Sequence, residues 1–176
     1  MRTINGKRFV PLIPKDVLIS RIETLANEVN KDYEGKNPIF IGILNGSFMF
    51  LAELFKNLSI QCEVSFIKVK SYEEMSSTGH VKELIGLSEN IENRHVVIVE
   101  DIVDTGNTLK AVLPVFLEKK PASLKLLTLL HKEEATQVSL DIAYTGFKIK
   151  DKFVIGFGLD FDGYGRNIDE ILILAE

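Results

Sequence analysis

The residue types best suited to chemistry occur together in one short run beyond the middle of the chain. Five of them follow one another, and they are Asp104, Thr105, Gly106, Asn107 and Thr108. This run offers consecutive backbone N–H groups, two hydroxyls and a glycine that permits a tight turn. Where such groups precede a helix, they form a cradle for a phosphate. The run has no lysine and lacks the spacing of a nucleotide-triphosphate P-loop, so dipoles and hydroxyls would hold the phosphate.

Two adjacent carboxylates, Glu100 and Asp101, stand just before this run. Near a phosphate site they would repel the ligand, so their presence requires a further binding partner. A sugar with neighbouring hydroxyls is one such partner, because carboxylates accept hydrogen bonds from hydroxyl donors. A divalent metal that bridges sugar and pyrophosphate is another. The combination of a phosphate cradle and a diol binder predicts a site for a ribose phosphate.

A strand and a helix must position these groups. Residues 95–99 include four consecutive β-branched residues, which indicates a buried strand of a parallel sheet covered on both faces. A helix from about Thr108 to Lys119 follows, and Pro114 inside it should kink it or delay its start. The candidate residues would then lie at the carboxyl end of a strand, where parallel sheets bind their ligands.

The rest of the chain alternates between strand and helix patterns. Pro14 suits a first helical position, and apolar residues recur after it at helical spacing: Val17, Leu18, Ile22, Leu25, Ala26 and Val29. A second helix is predicted over 48–58, and strands over 38–44, 61–69, 81–87, 124–130, 138–143 and 153–157. This alternation predicts an α/β fold with a mainly parallel central sheet flanked by helices. The strand ends place Asn45-Gly46 and His131-Lys132 beside the segment 100–108.

Length and composition limit the possible functions. The 176 residues suit one domain, and the net charge of −4 argues against general affinity for nucleic acid or anionic membranes. Cys62 is the only cysteine, so an internal disulfide is excluded. The first residues lack the apolar core of a signal peptide, and no apolar stretch approaches the roughly 20 residues of a membrane helix. We therefore expect a cytoplasmic protein.

Residues 97–108, with the sequence VIVEDIVDTGNT, resemble the phosphoribosyl pyrophosphate signature of the type I phosphoribosyltransferase family without a gap. That signature consists of apolar residues, two acids, two more apolar residues, and Asp followed by Thr-Gly-x-Thr. Further segments resemble the branch of the family that uses hypoxanthine, namely 44–48, 71–72, 129–132, 151–160 and 163–167. The chain departs from the family at Asn45, where many members carry a lysine, so the pyrophosphate loop has one positive charge fewer.

The resemblance implies a purine salvage enzyme that transfers the phosphoribosyl group from phosphoribosyl pyrophosphate to hypoxanthine, and to guanine as well, with Mg²⁺ as cofactor. By the same resemblance, Asp104 is the general base that takes the imidazole proton of the purine. The implied phosphoribosyl contacts are Glu100, Asp101, Asp104, Thr105, Gly106, Asn107 and Thr108. The implied purine contacts are Lys132, Phe153, Val154 and Asp160, the pyrophosphate contacts Asn45, Gly46 and Arg166, and the metal ligands Glu100, Asp101 and Asp160.

The resemblance also implies how the molecule is organised. A mobile flap over about 71–87, with Ser71 and Tyr72, would close over the site. A small hood would be built from about 1–13 and 150–176 within one phosphoribosyltransferase domain of residues 1–176. The partners implied are small molecules, phosphoribosyl pyrophosphate and a 6-oxopurine, and the assembly is a homodimer or homotetramer without nucleic acid or membrane.

Three other functions are compatible with parts of the sequence. The sequence Asp-Thr-Gly at 104–106 is also the aspartic protease triplet, but that class needs a partner triplet or a symmetric dimer in an all-β fold, whereas here a strand of parallel type precedes the triplet and a helix follows it. A regulator that keeps the fold, senses phosphoribosyl pyrophosphate or nucleotide and binds nucleic acid should have a basic face, which the net charge of −4 does not support. The last interpretation is a transferase for another base: Lys132 and Phe153 argue against pyrimidines but do not separate hypoxanthine from guanine or xanthine.

Overall fold

Within residues 1–69 and 84–175, which the computed structural model describes, the chain forms ten strands and three helices. The helices are α1 (Lys15–Asp32), α2 (Phe48–Lys56) and α3 (Asn107–Glu118). The strands in chain order are β1 (Arg2–Ile4), β2 (Lys7–Ile13), β3 (Ile39–Leu44), β4 (Glu63–Val69), β5 (Leu84–Ile85), β6 (His95–Val103), β7 (Ser123–His131), β8 (Ile142–Lys148), β9 (Val154–Ile155) and β10 (Ile171–Leu174).

A mainly parallel sheet forms the centre of the molecule. Its strand order is β5-β4-β3-β6-β7-β8, and every pair is parallel except β4 with β5. Residues 96–100 of β6 are buried, as expected for a central strand covered on both faces. The predicted α/β fold class is confirmed. The parallel strands end together at one edge, so the segments that follow β3, β6, β7 and β8 emerge there.

The helices cover both faces of this sheet. Helices α1 and α2 share one apolar core with Val97 and Val99, whereas α3 packs in a second core with Val96 and Ile98. The alternation along β6 separates the two cores, because successive side chains of a strand point to opposite faces. No helix in the described part of the chain has both the length and the apolar composition needed to cross a membrane.

A smaller antiparallel sheet has the order β1-β2-β10-β9. Its own apolar core contains Phe9, Ile155, Ile168 and Leu172. This sheet joins residues from both ends of the chain, the same segments that the resemblance assigned to a hood. Its strands β1, β2 and β10 were not predicted, because a pairing between residues 9 and 174 leaves no local signal. The division into domain, hood and flap stays a prediction.

Several predicted boundaries were wrong, and the sheet explains why. Strand β6 continues to Val103 because it pairs with β7 as far as His131, so Glu100 and Asp101 lie in the strand rather than in a loop. Strand β8 covers 142–148 instead of 138–143, since it pairs with the second half of β7. The side chains of Val138 and Leu140 instead contact the loop at Gly106.

The helix starts also differ slightly from the predictions. Pro14 is the N-cap of α1 rather than its first helical residue, and Val17, predicted on the apolar face, is 46% exposed. Helix α3 begins at Asn107, one residue early, so Pro114 does not delay its start. Pro114 lies inside α3 and is exposed. Pro114 has no N–H to donate to the carbonyl oxygen of Lys110 one turn earlier, and Lys110 is exposed as well.

Candidate active site

The loop that follows β3 packs closely against the last part of β6 and against Gly158 at the carboxyl edge of the large sheet. A Cβ atom added to Gly46 would lie 1.6 Å from Oδ2 of Asp101, and one added to Gly158 would lie 2.0 Å from the carbonyl oxygen of Gly46. Only glycine permits these two approaches. The peptide bond between Leu44 and Asn45 is cis. The predicted pyrophosphate residues Asn45 and Gly46 therefore lie against the carboxylate pair of β6.

Of the two carboxylates of β6, Glu100 is buried and Asp101 is half-buried. Glu100 is 9% exposed, and its Oε2 has no hydrogen-bond partner within the described residues. Burial, reinforced by the charge of Asp101, raises the pKa of Glu100 well above its ordinary value. Burial also raises the pKa of Asp101 to about 6, although backbone N–H groups and the charge of Arg166 oppose the rise. Two adjacent carboxylates that resist ionisation form a site where a cation would be strongly stabilised.

The phosphate-loop candidates at 104–108 connect β6 to α3 as predicted. Gly106 has φ +83°, the left-handed region that favours glycine, and it is the N-cap of α3. The first N–H groups of a helix have no partner within the helix, so the start of α3 presents donors to this loop, where the N–H of Asn107 already donates to the hydroxyl oxygen of Thr105 at 3.4 Å. Residues 100–109 line a cavity of about 210 Å³. The loop can therefore accept an anion of phosphate size by backbone dipoles.

A second loop supports the phosphate loop from behind. The N–H of Gln137 donates to the carbonyl oxygen of Thr105 at 3.0 Å, and Val138 contacts Gly106. The hydroxyl oxygen of Thr136 lies 2.8 Å from the carbonyl oxygen of Asp104 and 2.9 Å from that of Lys132. This threonine ties the two candidate residues together through the backbone. Sequence reasoning missed it, because a threonine in a polar turn carries no distinguishing pattern.

Lys132 joins two aspartates that come from different loops. Its ammonium lies 2.7 Å from Oδ2 of Asp104 and 3.2 Å from Oδ1 of Asp151. The lysine side chain is only 7% exposed, whereas those of Asp104 and Asp151 are 46% and 61% exposed. The predicted base and the predicted purine ligand are thus in direct contact. Asp151 opens the segment 151–160 that resembles the family, but it was not predicted as a site residue.

Two further purine candidates, Phe153 and Val154, lie just before and within β9. Phe153 is 44% exposed rather than a core residue, and its ring meets that of Phe161 edge to face at 5.7 Å between centroids. Val154 is buried in β9. A partly exposed ring held at its edge can still stack on a planar ligand.

Arg166 is already engaged with the loop that precedes it. Its guanidinium donates to the carbonyl oxygen of Gly158 at 2.7 Å and to Oδ1 of Asp160 at 2.7 Å. Oδ2 of Asp160 in turn accepts from the N–H of Gly163 at 2.7 Å. The arginine lies close enough to Asp101 for its charge to lower the pKa of that carboxyl. The structure therefore brings the predicted residues of the C-terminal loop to the carboxylate pair.

The described residues contain no ready-made cage of three or more His, Cys, Asp or Glu side chains. Glu100 and Asp101 nevertheless fit a hard divalent cation, because they supply buried carboxylate oxygens, one of them without a partner. Mg²⁺ commonly takes one or two protein carboxylates and completes its shell with water and substrate phosphates. Asp160, the third predicted ligand, is held by Arg166. The flap candidates Ser71 and Tyr72 lie outside the described residues.

A larger cavity of about 530 Å³ lies elsewhere, between the end of α1 and the start of β4. It opens at the amino ends of β3 and β4, and its lining includes Asn30, Lys31 and Glu34. The ligand sites of parallel sheets lie beyond the carboxyl ends of the strands, so the smaller cavity at 100–109 is the better candidate.

Comparisons with known proteins agree on one family. The model of the phosphoribosyl transferase domain matches residues 15–162. A hypoxanthine-guanine phosphoribosyltransferase of Streptococcus pneumoniae (strain ATCC BAA-255 / R6) is 41% identical over 166 residues, which cover 94% of this chain and 92% of that protein. Another, from Aquifex aeolicus (strain VF5), is 36% identical over 178 residues and covers 100% of both chains.

Solved structures show the same similarity. A hypoxanthine phosphoribosyltransferase from Trypanosoma cruzi, solved in complex with the product IMP, matches with a TM-score of 0.87. It is 35% identical, and the match covers 99% of this chain and 98% of that one. A hypoxanthine-guanine phosphoribosyltransferase from Bacillus anthracis matches with a TM-score of 0.86 at 33% identity, over 96% of this chain and 98% of that one.

Proposed function

The chain belongs to the phosphoribosyl transferase domain family, and from that premise we propose that it is a hypoxanthine-guanine phosphoribosyltransferase of purine salvage. It transfers the phosphoribosyl group of phosphoribosyl pyrophosphate to hypoxanthine or guanine and releases pyrophosphate. The products are IMP and GMP. The single observation that carries this proposal is the contact between Lys132 and Asp104, which places an ammonium suited to a purine oxygen beside a base at the phosphate loop.

The purine binds between Lys132 and Phe153 in this proposal. Lys132 donates to the exocyclic oxygen at position 6, which an oxopurine presents and adenine does not. Phe153 stacks on the ring, and its 44% exposure leaves surface for that contact. The backbone carbonyls of Val154 and Asp160 accept from the amino group of guanine. These contacts explain why both oxopurines would be substrates and why adenine would be a poor one.

Asp104 is the proposed general base. It takes the imidazole proton of the purine while the purine nitrogen forms a bond to the anomeric carbon and the bond from that carbon to pyrophosphate breaks. A positioned general base contributes typically about 10²–10⁴-fold to the rate. The backbone of Asp104 is held by Thr136, so the carboxylate is presented at a fixed place at the edge of the phosphate loop.

The other residues bind the donor. The phosphate loop, from Asp104 to Thr108, holds the 5-phosphate by its N–H groups and hydroxyls. Glu100 and Asp101 accept hydrogen bonds from the ribose hydroxyls. Asn45, Gly46 and Arg166 face the pyrophosphate, whose negative charge grows as it leaves. The close packing of Gly46 on Asp101 supports this arrangement, because it joins the ribose and pyrophosphate subsites.

Glu100 and Asp101 are the proposed protein ligands of Mg²⁺, and Asp160 is proposed for a second ion. Bound there, Mg²⁺ would neutralise charge on the pyrophosphate and so make it a better leaving group. The buried and unpartnered Oε2 of Glu100 supports this assignment. The cation would also relieve the cost of keeping two adjacent carboxylates ionised in a buried site.

The proposal includes a flap and an assembly. Residues 71–87, with Ser71 and Tyr72, would close over the site and exclude water, because hydrolysis of the activated sugar competes with transfer. The chain would form a homodimer or homotetramer. Phe48 and Phe66 support this assembly, since they are 41% and 37% exposed on α2 and β4. We place the enzyme in the cytoplasm, where phosphoribosyl pyrophosphate and free purines are metabolites.

The test is nucleotide formation from phosphoribosyl pyrophosphate and Mg²⁺ with hypoxanthine, guanine, xanthine or adenine offered separately. We expect turnover of hypoxanthine and guanine, little reaction of adenine, and a nearly inactive Asp104→Asn variant that keeps its melting temperature. Turnover of xanthine alone or of guanine alone would show that the enzyme prefers that base over hypoxanthine. Binding of phosphoribosyl pyrophosphate without any transfer would refute the enzyme and favour a regulator that only senses this metabolite.

A further inference from the structure

The contact between Lys132 and Asp104 creates a problem for the proposed reaction. Asp104 must accept a proton, and Lys132 must turn to the purine oxygen, yet in the structure these groups bind each other at 2.7 Å. The pair therefore has to separate, or at least loosen, when the purine enters. A lysine that is only 7% exposed cannot exchange its partner for bulk water at low cost. Some other anion has to stay with the ammonium during the reaction.

Asp151 is the anion in place to do this. Its Oδ1 lies 3.2 Å from the ammonium of Lys132, on a loop that does not include Asp104. The turn that carries it is fixed to the end of β7, because the N–H of Ile149 donates to the carbonyl oxygen of His131 at 2.9 Å. A further hydrogen bond of 2.8 Å, from the N–H of Lys152 to the carbonyl oxygen of Lys150, closes the turn around Asp151. The backbone of this turn therefore holds the carboxylate of Asp151 next to the ammonium of Lys132.

The number of anions beside the Lys132 ammonium changes during the proposed reaction, and this change gives Asp151 a distinct role. Before transfer, the ammonium has two carboxylate neighbours. Once Asp104 has taken the purine proton it is a neutral acid, and the ammonium would then have no anionic neighbour but Asp151 among the described contacts. Removing one partner from a buried ion pair costs far more than the pair contributes when intact. Asp151 should matter most at the moment of proton transfer.

We propose that Asp151 is a positioning residue that retains Lys132 while Asp104 is released to act as the base. This inference deepens the proposed function and rests on it. Asp151 need not touch the purine or the reacting atoms, since it acts through Lys132. Its effect should therefore appear in the purine-dependent steps and depend on the presence of Lys132.

The first experiment compares Asp151→Asn with the unmodified enzyme. We expect kcat/KM for hypoxanthine to fall about tenfold. This is the lower end of the effect of losing a hydrogen bond to a charged group, and we choose it because the Asp151 side chain is 61% exposed. KM for phosphoribosyl pyrophosphate should stay within about twofold, since the proposed donor contacts do not include Asp151. Asp151→Glu, which keeps the charge, should recover most of the loss.

A matched control separates this role from general stability. Asp169 forms an ion pair with Lys15 at 3.0 Å, and both of these side chains are exposed, at 53% and 63%. Asp169→Asn removes an aspartate of similar exposure away from Lys132, so it should leave both kinetic parameters unchanged.

The decisive experiment is a double-mutant cycle with Lys132→Met. If Asp151 acts through Lys132, Asp151→Asn should change kcat/KM for hypoxanthine by less than about twofold in the Lys132→Met background. A full tenfold loss in that background, or an unchanged Asp151→Asn single variant, would overturn the inference while the proposed function stands. If the unmodified enzyme forms no nucleotide at all, the proposed function fails and the inference fails with it.

Discussion

Replacing Gly46 by alanine probes whether the carboxylate of Asp101 must lie where the structure places it. The backbone of Gly46 is outside the left-handed region, so alanine meets no conformational penalty there. The whole effect comes from the added methyl group, which would lie 1.6 Å from Oδ2 of Asp101. Ordinary contact begins at 3.4 Å, so one of the two groups must move by about 1.8 Å.

A displacement of that size should be costly for the proposed chemistry. A misplacement of about 1 Å can reduce the rate about 10²-fold, so we expect kcat/KM of Gly46→Ala to fall at least about 10²-fold. That loss corresponds to about 2.7 kcal/mol of transition-state stabilisation. The hydrogen bond of 3.0 Å from the N–H of Ile102 to Asp101 would be strained as well, which should cost about 1–3 kcal/mol of stability.

The assay is nucleotide formation with hypoxanthine, combined with thermal unfolding. Gly35→Ala is the control, because Gly35 has φ +72° but open space around it, far from the carboxyl edge of the sheet. That variant should lose about 1–2 kcal/mol of stability and keep its kinetic constants. A Gly46→Ala enzyme with kcat/KM within threefold of the unmodified value would refute the role given to the contact between Gly46 and Asp101.

Three further predictions concern the same site. Because burial raises the pKa of Asp101 from 3.8 to about 6, the metal-free protein should lose about 3 kcal/mol of stability as pH rises through that interval. Chemical unfolding at pH 4 and pH 7 checks this, and Asp101→Asn should reduce the difference to the part that Glu100 contributes, because burial raises the pKa of Glu100 as well. Thr136→Val should lower kcat several-fold, with KM for the donor unchanged, because it removes the hydroxyl that bonds the carbonyl oxygen of Asp104. Steady-state kinetics with both substrates varied checks this, and an unchanged kcat would contradict it. Phe153→Ala should raise KM for hypoxanthine about tenfold through lost stacking while the protein keeps its melting temperature, and an unchanged KM would contradict the stacking role.

The sequence alone determined the features that depend on neighbouring residues. The apolar run of β6, the loop at 104–108 and the helix that follows occupy adjacent positions, so their types and order predict a phosphate cradle at a strand end. The parallel sheet followed from the alternation of strand and helix patterns. Family membership was also predictable, because the signature of residues 97–108 is local and unbroken.

Only the tertiary structure decided which side chains meet. Lys132 is 28 residues from Asp104 and 19 from Asp151, and their contact depends on the register of β6, β7 and β8. The approach of Gly46 to Asp101 depends in the same way on the pairing of β3 with β6. Residue types indicate what a group can do, but a shift of one residue in a strand register would send each side chain to the other face of the sheet. The distances that give Asp151, Thr136 and Gly46 their roles therefore arise only when the whole sheet has formed.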